Sequence, residues 1–141
     1  MPAICVTVSK STCLIVNNNS YVWFIPAALL TAGIAVISLW EAPQLPPDVM
    51  SLGDKVLHGI MYVILAVAWM IPVAHFLPHH PAPYIYVCLA VTAYGLLMEV
   101  LQHFCTLTRS GEMEDVYADF VGAMVGVLII GVWHLLHSTS R

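Results

Sequence analysis

Hydrophobic positions along the chain gather into four long runs, separated by polar or proline-rich connections. Each run is nearly free of charged residues and reaches the roughly 20 residues that a helix needs to cross the hydrocarbon core of a bilayer. The runs cover residues 21–40, 55–77, 83–105 and 116–137. The pattern therefore predicts an all-α integral membrane bundle of four antiparallel transmembrane helices.

The connections set the expected helix boundaries. Three prolines are expected to exclude helix from the first connection: Pro43, Pro46 and Pro47. Ser51 precedes Asp54 by three residues, a capping pattern that predicts a second helix starting near Gly53. Pro72 is expected to kink this helix, and the prolines of the second connection are expected to make helices two and three antiparallel neighbours.

Two segments follow from this division: a short N-terminal tail at residues 1–20 and a four-helix membrane domain at residues 21–141. The tail has one lysine and no sustained apolar core, so a removable signal peptide is not expected. The four cysteines have neither a CxxC pair nor zinc-type spacing, and we interpret them as free thiols: Cys5, Cys13, Cys88 and Cys105.

Composition narrows the class of protein. The chain is 60% hydrophobic and 9% charged, with a mean hydropathy of +0.88, which excludes an ordinary soluble protein. Four lysines and arginines cannot form a basic surface for nucleic acid. The expected setting is a lipid bilayer, which the chain crosses several times.

Acidic residues are distributed on one side of the predicted bundle. All eight lie in, or within two turns of, the first and third connections, which antiparallel helices bring to the same membrane face. Lys55, His58 and Arg109 lie there too. Lys10 and Arg141 on the other face balance the two bases, so the positive-inside rule does not decide orientation. If Lys55 and Arg109 belong to a site, we expect cytoplasmic termini and an outward-facing pocket.

Helical spacing groups the polar residues into stripes. Three pairs are three or four residues apart: Asp54 and His58, Glu99 and Gln102, Asp115 and Asp119. His58, Glu99 and Asp119 each lie at least about one turn inside their helix, so they are predicted to meet at one depth. Small residues continue the stripes and favour close helix packing that would bury the carboxylates: Gly95, Ala118, Gly122 and Gly126.

Each of these residues also has a plainer interpretation. Glu99 and Asp119 could be a polar clamp between helices, although acids within a membrane are usually functional. Arg109 is either an ordinary loop residue or a partner for the carboxylates or for an anionic ligand. His58 and His103 match no HExxH pattern, and interfacial histidines more often make hydrogen bonds than bind metal. No metal or other cofactor is expected.

Three strings resemble the VanZ-like family of small bacterial membrane proteins: DKVLHGIMY, YGLLMEVLQ and RSGEMEDVYADFVGAMVG. The family pattern falls here on Asp54, Lys55, His58, Tyr62, Tyr94, Gly95, Glu99, Gln102, Arg109, Asp115, Asp119, Gly122 and Gly126. Two positions depart from it: Gly59 stands where an aromatic is common, and Asp119 where asparagine is frequent. The family's namesake is associated with resistance to the glycopeptide teicoplanin, but the resemblance implies no established reaction.

These features predict a one-sided polar pocket that binds an anionic or glycan-bearing envelope component, such as an anionic lipid or a lipid-linked glycan. The predicted ligand-binding residues are Asp54, Lys55, His58, Tyr62, Glu99, Gln102, Arg109, Asp115 and Asp119. A second interpretation is an intramembrane acid–base or metal-dependent enzyme, with Glu99, Asp119 and His58 as catalytic candidates. A third is a structural or assembly protein whose acids only lock helices together.

Overall fold

A computed structural model describes residues 4–9, 12–16, 20–40, 47–77, 81–106 and 112–138. Within these ranges, four α-helices follow one another: α1 (Ile25–Ser38), α2 (Pro47–Phe76), α3 (Ala82–Cys105) and α4 (Met113–Ser138). A 3₁₀ helix, Ser20–Phe24, leads directly into α1. All four helices are long and apolar enough to span a bilayer, with α1 counted together with the turn before it. The four predicted spans are therefore confirmed.

Two short strands precede the helices, in the segment interpreted from the sequence as a tail. β1 (Ile4–Ser9) and β2 (Thr12–Val16) pair antiparallel, with Ile4 opposite Val16 and an irregularity between Thr7 and Ser9. Both are rich in β-branched residues, which favour an extended backbone. Hydropathy alone does not predict this hairpin, because its strands are much shorter than the membrane-length runs.

The second helix begins earlier than the sequence suggested. α2 begins at Pro47 instead of near Gly53, so Ser51 lies inside the helix and is not its cap. Proline is well tolerated in the first turn, where its missing N–H has no helical partner to lose. The prediction that Pro47 excludes helix was therefore wrong. Pro72 lies within α2, which continues to Phe76.

Side-chain contacts fix the directions of the helices. Phe24 stacks on Phe76, so the start of α1 lies beside the end of α2. Tyr62 on α2 approaches Tyr94 on α3, while Gln102 near the end of α3 reaches Ser38 at the end of α1. Gly122 and Gly126 of α4 pack on successive turns of α2, so α2 and α4 are parallel. Consecutive helices therefore run antiparallel, which brings the first and third connections to one face.

Glycines allow α2 and α4 to pack with their backbones in contact. A Cβ placed on Gly122 would lie 3.1 Å from the carbonyl carbon of Gly59 and closer still to its oxygen. One turn further along, a Cβ on Gly126 would lie 2.6 Å from the carbonyl oxygen of Val63. Small residues allow helices in lipid to approach this closely. This contact positions Asp119 of α4 directly across from α2.

Buried side chains from all four helices form the core, which extends from this contact away from the first and third connections: Ile34, Tyr62, Leu65, Ala66, Met70, Ala74, Val91, Ala123 and Val127. Thr31 ties α1 to the other helices at the same level. Its hydroxyl accepts a hydrogen bond from Trp69 at 3.1 Å, and its carbonyl accepts one from the Tyr94 hydroxyl at 2.6 Å. Leucine, isoleucine and valine side chains on the outer helix faces are exposed, as expected where they face acyl chains.

Candidate functional site

His58, Glu99 and Asp119 meet inside the bundle, one from each of α2, α3 and α4. Nδ1 of His58 forms a hydrogen bond with Oδ1 of Asp119 at 3.1 Å and lies 3.8 Å from Oε1 of Glu99. The three side chains are almost fully buried, with residue exposures of 4%, 4% and 0%. The structure thus brings together the three residues that helical spacing predicted to share one depth. We call them the buried triad.

Glycines on the neighbouring helices determine the position of the Asp119 side chain. Gly95 faces it from α3: a Cβ on Gly95 would lie 3.0 Å from the Cβ of Asp119 and would collide with its carboxylate. The Gly59–Gly122 contact fixes Asp119 from the other side, one turn along α4. Gly95 and Gly122 therefore create the space that the Asp119 side chain occupies.

The two carboxylate oxygens of Glu99 differ in their hydrogen bonding. Oε2 accepts a hydrogen bond from the backbone N–H of Glu112, at 3.0 Å, just before α4 begins. Oε1 is buried and has no hydrogen-bond partner among the described residues. One oxygen therefore anchors the start of α4, while the other faces the imidazole of His58 without a hydrogen bond.

Two further acids lie between the triad and the membrane face. Asp115 is buried, and within the described ranges its Oδ1 has no hydrogen-bond partner; the same holds for Oδ2 of Asp119. Ligand atoms of Asp54, His58 and Asp115 lie within 4.8 Å of one another, so the acids extend from the half-buried Asp54 inward to the triad. Buried polar groups normally have partners, and three unpaired carboxylate oxygens in one cluster therefore indicate a site for donors or a cation.

The remaining predicted site residues have other contacts. Lys55 pairs with Glu114 at the exposed edge of the bundle. Gln102 is buried but donates to the Ser38 carbonyl at 2.9 Å, so it joins α3 to the end of α1. Tyr62 lies one turn below His58, with its ring parallel to the imidazole and the centroids 6.4 Å apart. Arg109 lies outside the described residues.

Charge at this site is predominantly negative. Lys55 is the single lysine or arginine in the described ranges, and its partner Glu114 is itself an exposed acid. Chemically, the triad can accept hydrogen bonds, exchange a proton between His58 and Asp119, or hold a cation. The sequence predicted the cluster itself but not the separation of Lys55 from it.

An apolar groove of about 350 Å³ lies within the membrane-spanning part of α1, α2 and α3, and on α2 it begins at Leu65, about two turns beyond His58. Its lining consists of Thr31, Leu65, Trp69, Tyr86, Val87, Ala90, Val91 and Tyr94. One face of α2 carries residues of both the triad and the groove, because helical spacing aligns His58, Tyr62, Leu65 and Trp69. Tyr86 and Ala90 are exposed and open the groove sideways.

Sequence reasoning missed this groove. Tyrosine, tryptophan and small apolar side chains within a span are equally typical of lipid-facing and helix-facing positions. The sequence feature that could have predicted the groove is the face of α2 shared by His58 and Trp69. That face can be recognised only once His58 is known to point into the bundle.

Comparison with known proteins supports the resemblance drawn from the motifs. No curated protein and no solved structure matches the chain. The model of the VanZ/LLP1 family matches residues 6–134, which include the four helices almost completely and reach into the segment before them. The match also contains every member of the buried triad and every residue of the groove. With most of its length matched, this chain of four membrane-spanning helices belongs to the VanZ/LLP1 family.

Proposed function

We propose that this protein binds a lipid-linked component of the cell envelope in the bacterial inner membrane. The polar head would occupy the acidic end of the bundle, and the hydrocarbon chain would lie in the groove. The observation that carries this proposal is that His58 of the triad lies on the same face of α2 as Leu65 and Trp69 of the groove. An amphiphilic ligand fits this arrangement, because its polar head matches the polar cluster and its apolar chain matches the groove.

The polar end suits a head group rich in hydroxyls, such as a glycan. Unpartnered oxygens of Glu99, Asp115 and Asp119 are acceptors without donors, and sugar hydroxyls are donors. Arg109 would contact an anionic part of the head. Lys55 would also contact it, after leaving its ion pair with Glu114. Asp54 would line the approach and His58 would contact the head group. Tyr62 would lie between the triad and the groove, while Gln102 would hold α1 and α3 in position.

The apolar end suits a hydrocarbon chain. The groove volume, about 350 Å³, falls within the range of small-molecule sites. Exposed Tyr86 and Ala90 form its rim within the span of α3, so a chain can enter from the surrounding lipid. The Thr31 hydrogen bonds to Trp69 and Tyr94 keep the three helices that form the groove at fixed positions.

Filling the groove tests this proposal. Ala90→Trp should place an indole in the space for the chain and reduce the amount of co-purified envelope lipid about tenfold, because a site already filled by a side chain loses its apolar contacts. Ala93→Trp is the matched control, since Ala93 is exposed on the same helix and does not line the groove. Native mass spectrometry of protein extracted in mild detergent measures the retained lipid.

Equal lipid retention in Ala90→Trp, Ala93→Trp and the wild type would contradict a site in the groove. Recovery of bulk phospholipids alone, in the proportions of the membrane, would contradict a specific envelope ligand. Growth of a glycopeptide-sensitised host expressing each variant gives a second readout, chosen because of the family's association with glycopeptide resistance.

We also propose that the acidic end faces outward and that both termini are cytoplasmic. Cys105 is a free, exposed cysteine at the end of α3 on the acidic face, and His137 is exposed near the opposite end of the bundle. With the other cysteines replaced, Cys105 should react with a membrane-impermeant maleimide in intact cells. His137→Cys, in a background that also lacks Cys105, should react only after lysis. The opposite labelling pattern would reverse the orientation.

A further inference from the structure

We propose that His58, Glu99 and Asp119 together bind one divalent transition-metal ion, of the class of Zn²⁺ or Mn²⁺. The donor set is one imidazole nitrogen and two carboxylates, which are ligands that these ions accept. Ligand atoms of the three residues lie within 4.8 Å of one another. The ion's role in lipid binding depends on the proposed function, but its presence does not.

Distances within the triad agree with a shared ion. Ligands about 2.0–2.1 Å from a tetrahedral metal lie about 3.3 Å from each other. The Nδ1 of His58 is 3.1 Å from Oδ1 of Asp119 and 3.8 Å from Oε1 of Glu99, and these values bracket that separation. Small side-chain adjustments would therefore place all three atoms around one ion.

The unpartnered oxygens provide independent evidence for a ligand. Oε1 of Glu99 is buried, faces His58 and has no hydrogen-bond partner in the part of the chain that the structure describes, although the other oxygen of the same carboxylate accepts a backbone N–H. Oδ2 of Asp119 is likewise buried and unpartnered. A helix clamp would use these oxygens in bonds between helices, whereas a metal site leaves them available for coordination.

Buried charge supports the same conclusion. Two carboxylates around one imidazole are stable away from water only if protons or a cation compensate them. Within the described ranges, Lys55 pairs with Glu114 at the exposed edge and not with the triad. A divalent ion would neutralise Glu99 and Asp119 together.

The structure also provides a route for the ion. Asp54 and Asp115 approach His58 from the membrane face, and their ligand atoms form a second group with it, within 4.8 Å. Asp54 is half-buried and Asp115 is buried, so the two carboxylates lead from the surface inward. The triad is the better final site because all three of its members are buried.

A bound ion would explain how an acidic site accepts an anionic head. Carboxylates alone repel a phosphate or carboxylate group, but a divalent ion with a free coordination position attracts it. Under the proposed function, the ion would contact the anionic part of the lipid head, and the remaining acids would bind its hydroxyls.

The test uses Zn²⁺ alone as the probe, on the full-length protein purified in detergent without a histidine tag, treated with chelator and then dialysed against Zn²⁺. The wild type should bind one ion per chain. His58→Gln, Glu99→Gln and Asp119→Asn should each weaken binding at least about tenfold, because each removes one ligand. His103→Gln and Glu114→Gln are matched controls: both residues are exposed near the same face, outside the triad.

Wild-type Zn²⁺ affinity in all three triad variants, or equal losses in the two controls, would overturn the assignment. X-ray absorption of zinc bound to the wild type is a second measurement that does not depend on how the variants fold. It should show a single imidazole among nitrogen and oxygen ligands; two or more imidazoles, or a sulfur ligand, would overturn the assignment. Zinc binding is measured without lipid, so its failure is distinct from failure of lipid retention.

Discussion

Gly122→Val should separate α2 from α4 and cause a large loss of stability. A Cβ at this position would lie 3.1 Å from the carbonyl carbon of Gly59 and closer to its oxygen, so the obstacle is backbone that cannot rotate away. Overpacking of a tight contact typically costs about 1–3 kcal/mol, and a rigid backbone neighbour places this case at the upper end. Thermal melting in detergent should show a clear fall in Tm.

Gly33→Val is the matched control for this substitution. Gly33 also lies inside a membrane-spanning helix, α1, but a Cβ added there meets nothing within 4 Å. The two variants share the same change in helix propensity and differ only in the space available. Gly126→Val should behave like Gly122→Val, because its Cβ would lie 2.6 Å from the Val63 carbonyl oxygen. If Gly122→Val has the same Tm as Gly33→Val, the close contact of α2 and α4 does not exist.

The same substitution should also affect the site. Asp119 is three residues before Gly122 on α4, and its position opposite His58 depends on the approach of the two helices. A shift of α4 away from α2 would lengthen the 3.1 Å separation between His58 and Asp119. Protein of the Gly122→Val variant that still folds should therefore retain less Zn²⁺ than Gly33→Val.

The membrane spans were predictable from the sequence because they depend on length and hydropathy alone. A run of about 20 apolar residues has few alternatives to a spanning helix. The start of α2 was not predictable in the same way: proline excludes the interior of a helix but not its first turn, and Pro47 occupies that turn. Local sequence rules are weakest at such boundaries.

The meeting of His58, Glu99 and Asp119 was also predictable, since antiparallel order and helical spacing fix the depth of each residue. Individual partners were not, because they depend on how each helix is rotated about its axis. Gln102 was expected beside the ligand but donates to Ser38. Gly59 was noted only as a departure from the family pattern, yet its carbonyl is the surface against which Gly122 packs.

Glu99→Gln and Glu99→Leu should both abolish ligand retention while leaving the fold intact. Glutamine keeps one side-chain oxygen to accept the Glu112 N–H, which lies 3.0 Å from Oε2 of Glu99, but it loses the negative charge facing His58. Leucine loses the hydrogen bond as well. In a membrane bundle such a bond contributes about 0.6 kcal/mol on average, so the leucine variant should melt only slightly lower.

Envelope lipid retained after mild extraction is the functional readout for this series, with thermal melting as the readout of the fold. His103→Gln is the control, since it removes an exposed ionisable side chain near the same face without touching the triad. The double variant Glu99→Gln/Asp119→Asn should lose no more lipid than either single variant, because residues that act as one unit are not additive.

A structural clamp predicts the opposite result for the two Glu99 variants. Glutamine would preserve the bond to the start of α4 and retain lipid as the wild type does, whereas leucine would break the bond and destabilise the bundle. Full retention in Glu99→Gln together with a large fall of Tm in Glu99→Leu would therefore assign Glu99 to helix packing. Loss of retention in both, at nearly unchanged Tm, requires the charge itself. The unpartnered Oε1 of Glu99 leads us to expect the second result, because a clamp has no use for a buried oxygen without a donor.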